Sequence, residues 1–147
     1  MDTNSKIKFT MTIIQDGDRS KAEYTTNARF TEKDGKYILY FDEKLEDDPE
    51  ITKCRFEIED NILRLRRTGQ IVIEQTHIKA QKTSGYIKTP FGLMETEVKT
   101  NRFTFVENSD GEYRLDLKYD LYIDNEKAGN YVLKIIVDAR PVKSLRD

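Results

Sequence analysis

The chain has a single cysteine, Cys54, which excludes an internal disulfide and a multi-cysteine zinc site. No apolar run approaches the roughly 20 residues that span a bilayer as a helix. Neither charge sign dominates. The 25 basic residues are interleaved with 27 acidic ones for a net charge of -2, leaving no global field to draw nucleic acid or a membrane surface. There is no internal repeat, low-complexity segment or linker. The polar stretch Met1 to Lys6 matches neither a secretory signal nor a transit peptide, so the expected location is the cytoplasm.

What is present argues for one folded unit. A length of 147 residues suits one domain, 1–147, with a real hydrophobic core, and is too short for two good ones. The charged fraction of 35% nearly equals the hydrophobic fraction of 37%, so the exterior is heavily solvated. Eight Tyr and seven Phe nevertheless supply the bulk that a disordered chain lacks.

The dominant pattern is period 2, the mark of half-buried strands, because alternate strand side chains point to opposite faces. Ile7, Phe9, Met11 and Ile13 share one face of a first strand, and Ala22, Tyr24, Ala28 and Phe30 one face of a second. Cys54, Phe56 and Ile58 alternate with charged residues. So do Leu115, Leu117, Tyr119, Leu121 and Ile123, and Leu133, Ile135 and Val137 complete the set. No comparable window sustains a helical apolar face. Asp16-Gly17, Asp34-Gly35 and Asp110-Gly111 separate alternating runs and supply the positive φ that tight hairpins need.

Nine or ten strands with short connections make an antiparallel meander. Closure of such a meander removes exposed edges, so the expected fold is an all-β, calycin- or lipocalin-like barrel, with a β-sandwich as the alternative. The tails 1–5 and 141–147 are expected to be loose.

Leu63-Arg64-Leu65-Arg66-Arg67-Thr68-Gly69, followed by Thr89-Pro90-Phe91-Gly92 and by Tyr119-Asp120, resembles the YwiB-like family of Gram-positive bacteria. The resemblance covers nearly the whole chain in length and strand order. It departs near the second strand, where Asn27-Ala28-Arg29 stands in place of a Gly after a Thr. It implies a calycin-like barrel in a cytoplasmic setting and implies no activity.

Few polar residues stand out on inward parities. Arg67 shares parity with Leu63 and Leu65, so it points inward near a strand end and needs a partner there. That partner is either a ligand carboxylate or phosphate, or a structural carboxylate or loop carbonyls closing one end, the second being favoured. Tyr119 and Thr96 lie inward with Thr26 and Thr100, where they hydrogen-bond a polar ligand or one another. Phe91, in the bend at Thr89-Pro90-Phe91-Gly92, is expected to plug the barrel mouth.

The lone His77 has ambiguous parity. A partly exposed strand histidine is favoured over an axial haem ligand. Asp42, Glu43, Glu46, Asp47, Asp48 and Glu50 read as a solvated acidic loop, since their spacing matches no EF-hand. Arg64, Arg66, Lys79, Lys82 and Lys88 with Tyr86 are only a weak echo of a nucleic-acid platform, so no nucleic-acid partner is expected. No serine sits in a nucleophile elbow, and Cys54 reads as a small buried hydrophobe.

No cofactor, metal or catalytic group is therefore expected. The reading is a non-enzymatic barrel that holds a small, partly apolar ligand at Arg67, Tyr119, Phe91 and Thr96. The alternative is an interaction module or homodimer using outward Tyr40, Tyr122 and Ile136.

Overall fold

The computed structural model describes residues 2–44, 51–109 and 111–139. The strands run β1 (Asp2–Gln15), β2 (Asp18–Lys33), β3 (Lys36–Lys44), β4 (Ile51–Glu59), β5 (Ile62–Thr68), β6 (Val72–Ile78), β7 (Lys82–Thr89), β8 (Gly92–Ser109), β9 (Glu112–Ile123) and β10 (Glu126–Asp138). Each pairs antiparallel with its neighbours in sequence, and β10 returns to β1 from Lys6↔Asp138 to Ile14↔Asn130. The meander is thus a closed all-β barrel, a form consistent with the calycin-like shape, and among the described residues every strand has a paired neighbour on both sides. Closure excludes the sandwich alternative.

The turns follow their chemistry. Asp16 and Gly17 have φ of 49° and 82°, and Asp34 and Gly35 have 53° and 79°, so both residues of each pair are left-handed as a two-residue hairpin demands. The segment expected to be loose at the start of the chain is instead strand: Asp2 pairs with Thr31 and Ser5 with Ala28, and Ser5 is buried. Its polar composition hid it, because backbone pairing needs no apolar side chain. The tail 141–147 lies outside the described residues.

The interior parity is not continuous along every strand. On β8 it runs through Thr96, Val98 and Thr100, then a bulge between Thr100 and Arg102 shifts it to Phe103 and Phe105. One extra residue reverses which face points inward.

The half of the barrel at the β2–β3, β4–β5 and β8–β9 turns is solid. Phe30, Tyr37, Phe105 and Tyr113 interlock there, with centroids 4.9 Å apart for Phe30–Tyr113 and 5.0 Å for Tyr37–Phe105. Together with Leu39, Phe56, Ile58, Leu115, Ile135 and Val137 they leave a void of only about 10 Å³. This end is a packed core. The opposite half is different.

Candidate functional site

Toward the β1–β2, β5–β6, β7–β8 and β9–β10 turns the inward positions of several strands carry small side chains. Ala22 and Thr26 on β2 and Cys54 on β4 stand where the far half has Phe30 and Ile58. The missing bulk leaves a cavity of about 660 Å³, walled by Phe9, Met11, Ile73, Leu117, Leu121 and Leu133. That volume lies within the range of small-molecule sites, about 300–1,000 Å³.

Two polar groups interrupt the apolar wall. The first lies deep. His77 is fully buried, with Nδ1 2.9 Å from Thr100 Oγ1 and Nε2 3.2 Å from Gln75 Nε2. An amide NH₂ only donates, so His77 Nε2 accepts and its Nδ1–H donates to Thr100, which fixes the neutral tautomer. Burial pulls the His77 pKa down to about 4. Gln75 also hydrogen-bonds the Tyr119 hydroxyl, although burial keeps the Tyr119 pKa well above its ordinary value. The Tyr119 ring stacks on Tyr131 at 5.1 Å and tilts against the His77 ring at 4.6 Å. Thr100, His77, Gln75 and Tyr119 thus form one hydrogen-bonded line along the wall.

The second group sits nearer the mouth. Arg67 Nη2 on β5 donates to Glu43 Oε1 on β3, and Tyr24 Oη on β2 donates to Glu43 Oε2 at 2.5 Å. Both carboxylate oxygens are engaged. The Glu43 side chain is only 8% exposed and that of Arg67 25%. Burial lowers the Arg67 pKa from its ordinary value and raises that of Tyr24.

The expected site residues therefore separate. Arg67 and Tyr119 face the cavity, as their parity requires, and Arg67 finds its partner in the barrel carboxylate of Glu43. Thr26 lines the cavity too, and Thr100 supports His77. Phe91 does not plug the mouth. It sits at the tip of the β7–β8 hairpin, 99% exposed, because its turn carries the ring beyond the last paired residues, Thr89 and Gly92. Thr96 is buried but is not part of the cavity wall; it pairs with Gly85 and is sealed into the sheet, its hydroxyl lacking a hydrogen-bond partner among the described residues.

Two further expectations are corrected. His77 is not a partly exposed histidine, since it faces Leu63 across β5–β6 and follows that residue inward. Both its ring nitrogens are hydrogen-bonded, so an axial bond to haem iron would have to break one of them. Glu43 is not part of a solvated loop, because β3 extends through it and it shares parity with Tyr37, Leu39 and Phe41. Glu46, Asp47, Asp48 and Glu50 lie outside the described residues. Alternation carried two residues beyond Phe41 along β3 would have found Glu43.

The remaining signals resolve on the outside. Arg64 pairs with Glu57 at 3.2 Å and Arg66 with Glu74 at 2.6 Å, while Tyr86 donates to Glu74, so both arginines of the basic face are ion-paired. Cys54 is buried, and burial pushes its thiol up to about 12, far from a reactive thiolate. Outward Tyr40 and Tyr122 each carry a cation on the ring, Arg55 at 5.8 Å and Lys82 at 4.4 Å. Ile136 is half-buried. No helix among the described residues is long and apolar enough to cross a membrane.

No curated protein matches the chain. The crystal structure of the ywiB protein from Bacillus subtilis has the same fold, with a TM-score of 0.81 over 95% of this chain and 93% of that one at 17% identity. A family model matches residues 7–135, from the first inward residue of the β1 apolar stripe to the last strand's Ile135. With nearly the whole barrel inside that match, the chain belongs to the family described as a domain of unknown function, DUF1934.

Proposed function

We propose that this barrel is a non-enzymatic cytoplasmic protein that holds one small, largely apolar molecule in its open half. The observation that carries this reading is the 660 Å³ cavity beside a core packed solid at the other end. An apolar wall would take the ligand body by the hydrophobic effect, and a few fixed polar groups would orient it. Tyr119 and Gln75 are the deep anchors. Arg67, already paired with Glu43, shapes the entrance.

Native mass spectrometry of protein purified from its own host tests the reading, the expected result being a retained mass that denaturation releases. A parallel titration uses the uncharged fluorophore N-phenyl-1-naphthylamine. Its emission should rise on mixing, and Ala22→Trp, which puts an indole at the cavity wall, should suppress that rise at unchanged thermal stability. No retained mass together with no fluorescence response would remove this function.

A second reading, contact with another protein or a second copy, rests on exposed apolar side chains at the same end: Phe91 at 99%, Leu93 at 61% and Ile71 at 48% exposure. Sedimentation at high concentration discriminates. A dimer that Phe91→Ser dissolves would favour it, and a monomer throughout would count against self-association.

A further inference from the structure

The charges on the cavity wall bear on which chemical class of ligand it admits. Arg67 and Tyr24 converge from β5 and β2 with donors aimed at one point, an arrangement that would receive a carboxylate or phosphate. That point is occupied from within the chain, because Glu43 places one carboxylate oxygen on Arg67 and the other on Tyr24. Among the described residues, the remaining ionisable side chains on the wall, apart from tyrosines and Cys54, are Asp42, exposed at the mouth, and His77, held neutral by burial. An anionic ligand would therefore meet one cation already neutralised and two carboxylates. A cationic ligand would find Glu43 shielded by Arg67 and only Asp42 at the solvent edge.

Building on the ligand-binding reading above, we infer that the cavity selects an uncharged amphiphile, a molecule with an apolar body and a neutral hydroxyl, ester or amide head. Glu43 is the residue that sets this selectivity. An ionised head group entering the apolar half loses its hydration, and no ionic group on the inner wall among the described residues is free to compensate. A neutral head loses much less and can pair with Tyr119 or Gln75. The rim triad acts as a filter: the chain carries its own carboxylate in the receptor that would otherwise admit ligand carboxylates.

The test is displacement of N-phenyl-1-naphthylamine by decanol, decanoate and decylammonium, which share a chain and differ in head charge. Decanol should compete best in the wild type, by roughly tenfold or more over either ion. Glu43→Gln keeps an acceptor for Tyr24 and frees the Arg67 charge, so decanoate should then equal or pass decanol. Adding Arg67→Met to Glu43→Gln should cancel that gain while leaving decanol binding in place.

Decanoate or decylammonium binding the wild type as tightly as decanol would overturn the inference and leave the cavity as a binding site. An order of affinities unchanged in a folded Glu43→Gln variant would overturn the role of Glu43. Failure of the fluorophore itself to bind would instead remove the ligand-binding reading beneath it. Should Glu43→Gln not fold, the wild-type order still decides whether the ligand is uncharged, and Glu43→Ala, which removes the same carboxylate and leaves room between Arg67 and Tyr24, should raise decanoate affinity.

Discussion

Arg67 and Glu43 meet across β4, the guanidinium reaching from β5 to a carboxylate on β3 that Tyr24 also grips at 2.5 Å. The contacts join β2, β3 and β5 at the open end of the barrel, with Arg67 reaching over β4. They tie the mouth together where few apolar side chains do so.

Removing one member leaves the other buried and unpaired. Arg67→Ala should therefore destabilise the fold by about 3 kcal/mol, and Glu43→Gln with Arg67→Met should restore most of that loss. Urea unfolding of the single and double variants measures the coupling. Equal stability of Arg67→Ala and the wild type would mean that the ion pair contributes nothing.

His77 gives the fold a pH dependence whose sign follows from burial. Its pKa is about 4 in the folded protein against 6.5 in an open chain. Between these values the unfolded state binds the proton and the folded state does not, so unfolding is favoured. Stability contributed by His77 is complete above about pH 6.5, falls as pH drops, and is fully lost below about pH 4, a change on the order of 3 kcal/mol. His77→Gln should flatten the stability profile between pH 6.5 and 5, where carboxylates contribute little.

Tyr119→Phe keeps the stacked ring on Tyr131 and removes only the hydroxyl facing Gln75. Thermal stability should change by about 1 kcal/mol or less. Decanol affinity should fall several-fold, while the fluorophore, which relies on apolar contact, should bind as before. A loss of both ligands together would point to collapse of the cavity rather than loss of an anchor.

Gly85 marks where β7 lies closest to β6. A Cβ there would stand 2.2 Å from the Glu74 carbonyl oxygen and 3.3 Å from Gln75 Cα. Gly85→Ala must shift backbone beside the cavity wall, at a cost of about 1–3 kcal/mol. A lowered midpoint in thermal unfolding checks it, and ligand affinity should weaken because Gln75 moves with the strand.

Much of this protein was determined by its sequence alone. Alternation in β1, β4, β9 and β10 gave those strands their inward faces, and the Asp-Gly pairs gave the turns, because both depend on neighbours one or two residues away. Parity also sent Arg67 and Tyr119 inward. It did not identify Phe91 and Thr96 as lying off the cavity, nor Glu43, Gln75 and His77 as lying on its wall.

Those positions were decided by contacts far apart in the chain. His77 turns inward because it pairs with Leu63, Glu43 is buried because Arg67 and Tyr24 reach it, and the β8 bulge reverses a face within one strand. Local pattern tells which side of a strand is apolar. Only closure of the barrel determines which side chains share its interior, and that the small ones gather in one half to leave it open.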